Sequence, residues 1–169
     1  MCIGESVAIS RHNILREAIR FRQLIQSCDS EKTELVTEDF PLMNCKLTSM
    51  ILVYHFLKLY PELEIKGIGG VRPDNGLITH YWIEINGFVV DITGDQYNLI
   101  DDNELDGFLI ALRPYSPIHV AKVEHSFLYD VFEISYVDTF TSGFSGMSES
   151  FIERLELSYI QLTTAEKCT

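Results

Sequence analysis

The sequence predicts an α+β fold in a single domain over residues 1–169, and three stretches carry that prediction. Residues 10–26 show helical periodicity, residues 45–60 form a largely apolar run, and residues 79–93 hold two alternating arms joined by Asn86-Gly87. The order is helix, helix, strands and a last helix, which keeps the two kinds of element apart along the chain.

In the first stretch Ile14, Leu15, Ala18, Ile19, Leu24 and Ile25 fall near helical spacing and form an apolar stripe. Arg11, Arg16, Arg20 and Arg22 make a basic patch on its polar face. Such a patch either docks an acidic partner or pairs with nearby acids. Residues 27–39 are polar and acidic and read as a connector, and Pro41 denies the next residues helical continuity. Asn44 then offers an N-cap, with Cys45 at the first turn of a helix that reaches Tyr60, just ahead of Pro61. Leu47, Met50, Ile51, Val53, Tyr54, Phe56 and Leu57 leave this helix little polar face, so it is the buried central helix. Residues 64–68 read as a strand, and Gly69-Gly70 and residues 72–76 as turns. Beyond the hairpin, residues 94–106 are acidic and irregular. Residues 108–112 and 118–123 read as strands, 129–137 as strand or helix, and 139–146 as a loop. Ser148 caps a last helix that runs to about Leu162. No internal repeat or domain linker is visible.

A content of 46% apolar and 22% charged residues suits a folded globular chain of this length. The net charge of −12 disfavours a nucleic-acid surface, and no apolar run approaches the length that spans a bilayer. A protein or peptide is the expected partner, and the oligomeric state stays open. The four cysteines, Cys2, Cys28, Cys45 and Cys168, form no C-x-x-C pair, which disfavours a zinc knuckle or a thioredoxin-like motif. Glu5, Arg11 and His12 interrupt any secretory leader. The default is a reducing compartment: the cytoplasm, or the cytosol of a host or target cell entered without a classical signal peptide. At least some of the thiols are then free.

The hairpin supplies the chemistry. A type I′ turn at Asn86-Gly87 sets Ile85 opposite Phe88, Glu84 opposite Val89, Trp82 opposite Asp91 and His80 opposite Thr93. Tyr81, Ile83, Ile85, Phe88, Val90 and Ile92 then share a core face, and His80, Trp82, Glu84, Val89, Asp91 and Thr93 share the other. His80 and Asp91 become diagonal neighbours, roughly 7–8 Å apart at Cα, within reach of a side-chain hydrogen bond. A base and its orienter are half of a nucleophilic triad. Cys45 is the candidate nucleophile: the positive end of a helix macrodipole and its unpaired N–H groups favour a thiolate. The Cys45 amide is also the first candidate oxyanion donor, with Asn44 or Gln96 as the second.

Asn44-Cys45 at a helix start, His80-x-Trp82-x-Glu84 and Asp91-x-Thr93 together resemble the papain-like superfamily, and within it the transglutaminase-like branch. The resemblance covers residues 44–93; in place of the usual glycine-containing cysteine motif stands Met43-Asn44-Cys45-Lys46. It implies a central helix carrying the cysteine, packed on an antiparallel sheet carrying the histidine and aspartate. It implies a Cys45, His80, Asp91 triad, Trp82 as core or pocket wall, no cofactor, and acyl transfer from an amide or thioester. The product would be that of a peptidase, a glutamine deamidase or a transglutaminase, bacterial effector deamidases and precursor-trimming peptidases being members of similar size.

Other readings compete. His55 lies ten residues beyond Cys45 on the same helix, roughly 15 Å away, too far to activate it. His119 and His125 have no acidic partner that the hairpin register supplies, and Asp95 is the rival of Asp91. A metal site of His80, Glu84 and Asp91 would need ligands some ~13 Å apart along one strand. A catalytically silent transglutaminase-like module that binds a protein through the Arg11–Arg22 face or the acidic 101–106 loop is the alternative of a different class.

Overall fold

The computed structural model describes residues 8–165, so Cys2 and Cys168 lie outside the described residues. Helix α1 (Arg11–Ser27) is capped by the Ser10 side chain, which accepts from the Asn13 N–H. Helix α2 (Cys45–Leu59) follows a connector with one 3₁₀ turn. Five strands come next: β1 (Glu64–Arg72), β2 (Asn75–Ile85), β3 (Phe88–Asp91), β4 (His119–Lys122) and β5 (Glu133–Thr141). Short helices α3 (Gly107–Ala111) and α4 (Leu128–Val131) lie between β3 and β5, and α5 (Glu149–Ala165) closes the chain. The strands form one antiparallel sheet in the order β4-β3-β2-β1-β5.

The hairpin register is the one the turn chemistry requires. Ile85 pairs with Phe88, Glu84 with Val89 and Ile83 with Val90. Asn86 and Gly87 hold φ of 52° and 79°, the left-handed pair of a type I′ turn.

Both faces of the sheet are covered. On one, Tyr81, Ile83, Ile85 and Val90 pack with Phe21 of α1, Ile51 and Phe56 of α2, and Leu155 of α5. On the other, Trp82 and Val89 pack with Leu109 of α3, Val131 of α4, and Tyr97, Tyr115 and Phe132. The second layer is why the hairpin's polar-looking face is not solvated. Glu84 is only partly exposed and accepts a hydrogen bond from the Tyr129 hydroxyl.

Three local expectations change. Gly69-Gly70 is not a turn but the middle of β1, where the bare backbone makes room for aromatic rings on either side. A Cβ on Gly69 would sit 2.2 Å from the Tyr136 ring, and one on Gly70 would sit 2.8 Å from Phe132 and Trp82. Residues 108–112 are not a strand: the Asp106 carboxylate accepts from the Leu109 N–H and starts α3 instead. The stretch 129–137 divides, its first part closing α4 and the rest entering β5, which runs on to Thr141 and so takes the first residues of the expected 139–146 loop.

The arginines of α1 are committed inside the molecule. Arg11 donates to the Val120 carbonyl, and Arg16 and Arg20 face Glu17. Buried Arg22 makes a two-pronged ion pair with Asp95 at 2.7 and 2.8 Å. The patch therefore pairs with nearby acids. Among the described residues no helix is long and apolar enough to cross a membrane.

Gly70→Ala should cost about 1–3 kcal/mol through overpacking against Phe132 and Trp82. Urea unfolding would show a lower midpoint at unchanged m-value. Gly76→Ala, with nothing within 4 Å of its added methyl, should leave the midpoint in place.

Candidate active site

The β2–β3 ladder ends at Ile83–Val90, so His80 lies beyond the paired segment. The turn after β3 fills that space. His80 Nε2 and Asp91 Oδ2 are 2.8 Å apart, and both side chains have 0% exposure. The other Asp91 oxygen accepts from the Thr93 N–H at 2.9 Å and the Thr93 hydroxyl at 3.3 Å. A Cβ on Gly94 would come within 2.9 Å of Asp91 Oδ2, so glycine is what lets the chain wrap around this carboxylate.

Two positions farther on, Gln96 places its amide nitrogen 2.9 Å from His80 Nδ1. A neutral imidazole accepts from that N–H; a protonated ring would instead donate to the amide oxygen after the amide turned over. The Arg22–Asp95 pair ties this turn to α1, which holds Gln96 in place. The rings of Tyr97 and Phe132 lie 5.4 and 5.7 Å from that of His80 and wall it in. The Tyr97 hydroxyl donates to the Thr79 carbonyl.

Cys45 arrives from the opposite layer, on the first residue of α2. Lys46 anchors that end of the helix: its ammonium donates to the Tyr136 hydroxyl at 3.1 Å and lies 3.8 Å from Asp138. Burial disfavours the His80 imidazolium. The charge and hydrogen bond of Asp91, joined by the charge and hydrogen bonding of Cys45, outweigh it and raise the ring's pKa to about 10. Burial likewise opposes the Asp91 carboxylate, but His80 and the Thr93 amide hold its pKa below the usual aspartate value. Tyr97 is pushed well above its ordinary value by burial and then by the charges of Cys45 and Asp91. Cys45 therefore lies near enough to His80 to act on the charge of its ring.

Of the candidate residues, Cys45, His80, Asp91 and Gln96 come together; Asn44 and Trp82 do not join them. Asn44 is buried, its amide donating to the Leu35 carbonyl and its oxygen accepting from the Thr37 N–H. It occupies the N-cap position of α2 that the sequence suggests, but its side chain makes no cap hydrogen bond and, committed to the loop, is not an oxyanion donor. Its commitment to the preceding loop leaves the first N–H groups of α2, including that of Cys45, without a side-chain cap from this residue. Trp82 has 0% exposure and lies in the second core, 6.1 Å ring to ring from His80, so it supports the histidine from behind and meets no substrate.

The rivals are engaged elsewhere. Asp95 is held by Arg22. His55 is buried between Glu17, at 2.9 Å, and the Tyr159 hydroxyl, at 3.2 Å. His119 pairs with Asp91 in the β3–β4 ladder, but its ring meets the Ser126 hydroxyl at 2.9 Å. Among the described residues no group of three or more His, Cys, Asp or Glu side chains could hold a metal ion. Sequence reasoning missed Gly94, Tyr97 and Phe132. Only the closeness of Gly94 and Tyr97 to Asp91 in the chain hinted at them. Compared with family models, curated proteins and solved structures, the chain matches none.

The burial of His80 and Asp91 changes what their removal should do. His80→Ala leaves a buried carboxylate without its partner, and unfolding should show a loss of about 3–5 kcal/mol. The pair also sets a pH window. Because the folded pKa of His80 lies above its unfolded value of 6.5, its stabilisation is complete below that pH and is lost as pH rises through about 10. Asp91, with its pKa lowered, contributes above its unfolded value of 3.8 and loses that contribution as pH falls through the folded one. Urea midpoints measured from pH 6 to pH 10.5 should therefore converge for the native chain and His80→Ala; parallel curves would contradict a charged pair.

Proposed function

We propose that this chain is a thiol-dependent acyl-transfer enzyme of the papain-like, transglutaminase-like kind, acting on amide bonds of a protein or peptide through a thioester on Cys45. The observation that carries the reading is the buried His80–Asp91 contact at 2.8 Å, with Cys45, at the start of α2 in a separate layer, near enough to act on the charge of the imidazole. A histidine buried with a carboxylate and also engaging a cysteine at a helix start is the arrangement a thiol nucleophile needs.

His80 takes the Cys45 proton, and the thiolate sulfur attacks the amide carbonyl. The C–O π pair moves onto oxygen, where the Cys45 amide N–H receives it, with the Gln96 amide as second donor. As the oxyanion collapses the C–N bond breaks, and the imidazolium gives its proton to the leaving nitrogen. A thioester on Cys45 and a free amine or ammonia result. Water, or an incoming amine, then gives its proton to His80 and attacks the thioester. The C–S bond breaks and the proton returns to sulfur. Water as acceptor makes a peptidase or a glutamine deamidase; an amine makes a transglutaminase. Asp91 keeps Nε2 as the nitrogen that bears hydrogen; Nδ1, which the Gln96 amide meets at 2.9 Å in the resting chain, serves the thiol once that amide turns from the ring toward the oxyanion.

The test is alkylation by iodoacetamide between pH 5 and pH 9, with each cysteine followed by peptide mass spectrometry. Cys45 should react well ahead of Cys28, the other free cysteine among the described residues. His80→Ala should slow Cys45 about 100-fold, within the range of lost proton-transfer catalysis, and leave Cys28 unchanged. Gly94→Ala alters no titratable group, yet should also slow Cys45 by displacing Asp91. Equal reactivity of Cys45 and Cys28, indifferent to His80, would make this a binding module instead.

A further inference from the structure

A groove of about 700 Å³ opens beside the candidate active site, lined among others by Gln96, which meets His80, and by Met43, two residues before Cys45. It falls in the size range of ligand sites. Its walls carry apolar side chains held in water: Met43 is 92% exposed, Leu77 93% and Leu99 59%. Met43 also holds φ of 53°, a left-handed conformation unfavourable for a side chain of its kind. The backbone therefore presents this thioether outward beside the nucleophile, where it can pack on something that enters.

The rim of the groove is charged with one sign only. Asp101 and Glu104 line it, and no lysine, arginine or histidine does. The neighbouring acids are already neutralised: Asp102 by Arg113 at 2.6 Å and Asp106 by Arg72 at 2.7 Å. Among the described residues Asp101 and Glu104 have no ion-pair partner, so their charge is available to a ligand. The chain as a whole, at −12, adds to a field that attracts cations and repels anions.

Resting on the acyl-transfer reading, we infer that the groove is the substrate channel and that the substrate is a basic, apolar peptide segment. An aliphatic side chain close to the reacting carbonyl packs between Met43, Leu77 and Leu99. A lysine or arginine farther out meets Asp101 and Glu104. Apolar walls supply the affinity, and the two carboxylates set the sequence preference and speed capture.

Binding is measured apart from chemistry, by fluorescence anisotropy on the Cys45→Ser chain with three fluorescein-labelled hexapeptides. One carries Leu followed by Lys-Arg, one Leu followed by Glu-Glu, and one Ser followed by Lys-Arg. The first should bind at least about tenfold tighter than the other two, a difference of 1.4 kcal/mol. Added salt should weaken it. Asp101→Asn with Glu104→Gln should abolish its advantage over the Glu peptide. Met43→Ser with Leu77→Ser, both at solvent-exposed positions, should abolish its advantage over the Ser peptide. Equal binding of all three peptides, or a preference untouched by the groove variants, overturns the inference. So does a groove whose variants change only self-association, since its occupant is then a second copy of the chain. Alkylation of the native chain separates the two failures. A reactive Cys45 without peptide preference ends the groove assignment alone. An inert Cys45 with the preference intact ends the enzymatic reading, and with it the groove's role as a substrate channel, and leaves the groove a peptide-binding site.

Discussion

The rest of the structure depends on the ion pair between His80 and Asp91, out of contact with solvent on both sides. Taking an imidazolium and a carboxylate out of water is costly, and their attraction repays the cost only when the remaining lone pairs and protons find partners. Here they do. Thr93 supplies two donors to the free carboxylate oxygen, and Gln96 meets the free ring nitrogen. Those partners belong to the turn that follows β3, and that turn can pass so close only because residue 94 has no side chain. One buried contact thus explains the polar and glycine residues over positions 91–96.

The pair also accounts for the second layer of the fold. A hairpin with one apolar face could stand with its other face in water. In this protein Tyr97, Phe132 and Trp82 close over the face that carries His80, with α3 and α4 behind them. Water is excluded from the side of the imidazole facing this layer. Cys45, on the other layer, is by contrast partly exposed. Burial of His80 and exposure of Cys45 are therefore arranged by different layers around one sheet.

Positioning the thiol needs a separate set of contacts. Asn44 fastens the connector ahead of α2, and Lys46 fastens the helix end to Tyr136 and Asp138 of β5. Arg22 reaches from α1 to Asp95 and fixes the turn that carries Gln96. These residues are far apart in sequence, yet each fixes where Cys45 or Gln96 is held.

Local rules read much of this from the sequence alone. Asn86-Gly87 can adopt the two positive φ values of a type I′ turn with little strain, which sets the register and hence the pairing of His80 with Asp91. Ser10 and the apolar spacing after it mark α1, and the apolar run before Pro61 marks the central helix with Cys45 at its start. Such signals are legible because turns, caps and periodicity act over a few residues. What required the tertiary structure acts between distant residues. Gly69-Gly70 looks like a turn until Tyr136 and Phe132 are seen packed on it. Asn44 stands at the N-cap position, but that its side chain serves the loop and not the helix is seen only once its partners at Leu35 and Thr37 are known. Residues 108–112 look like a strand until Asp106 is seen capping them. The covering of His80, the seating of Cys45 beside it and the acidic apolar groove all bring together groups separated by tens of residues, and no local pattern encodes which distant surfaces will meet.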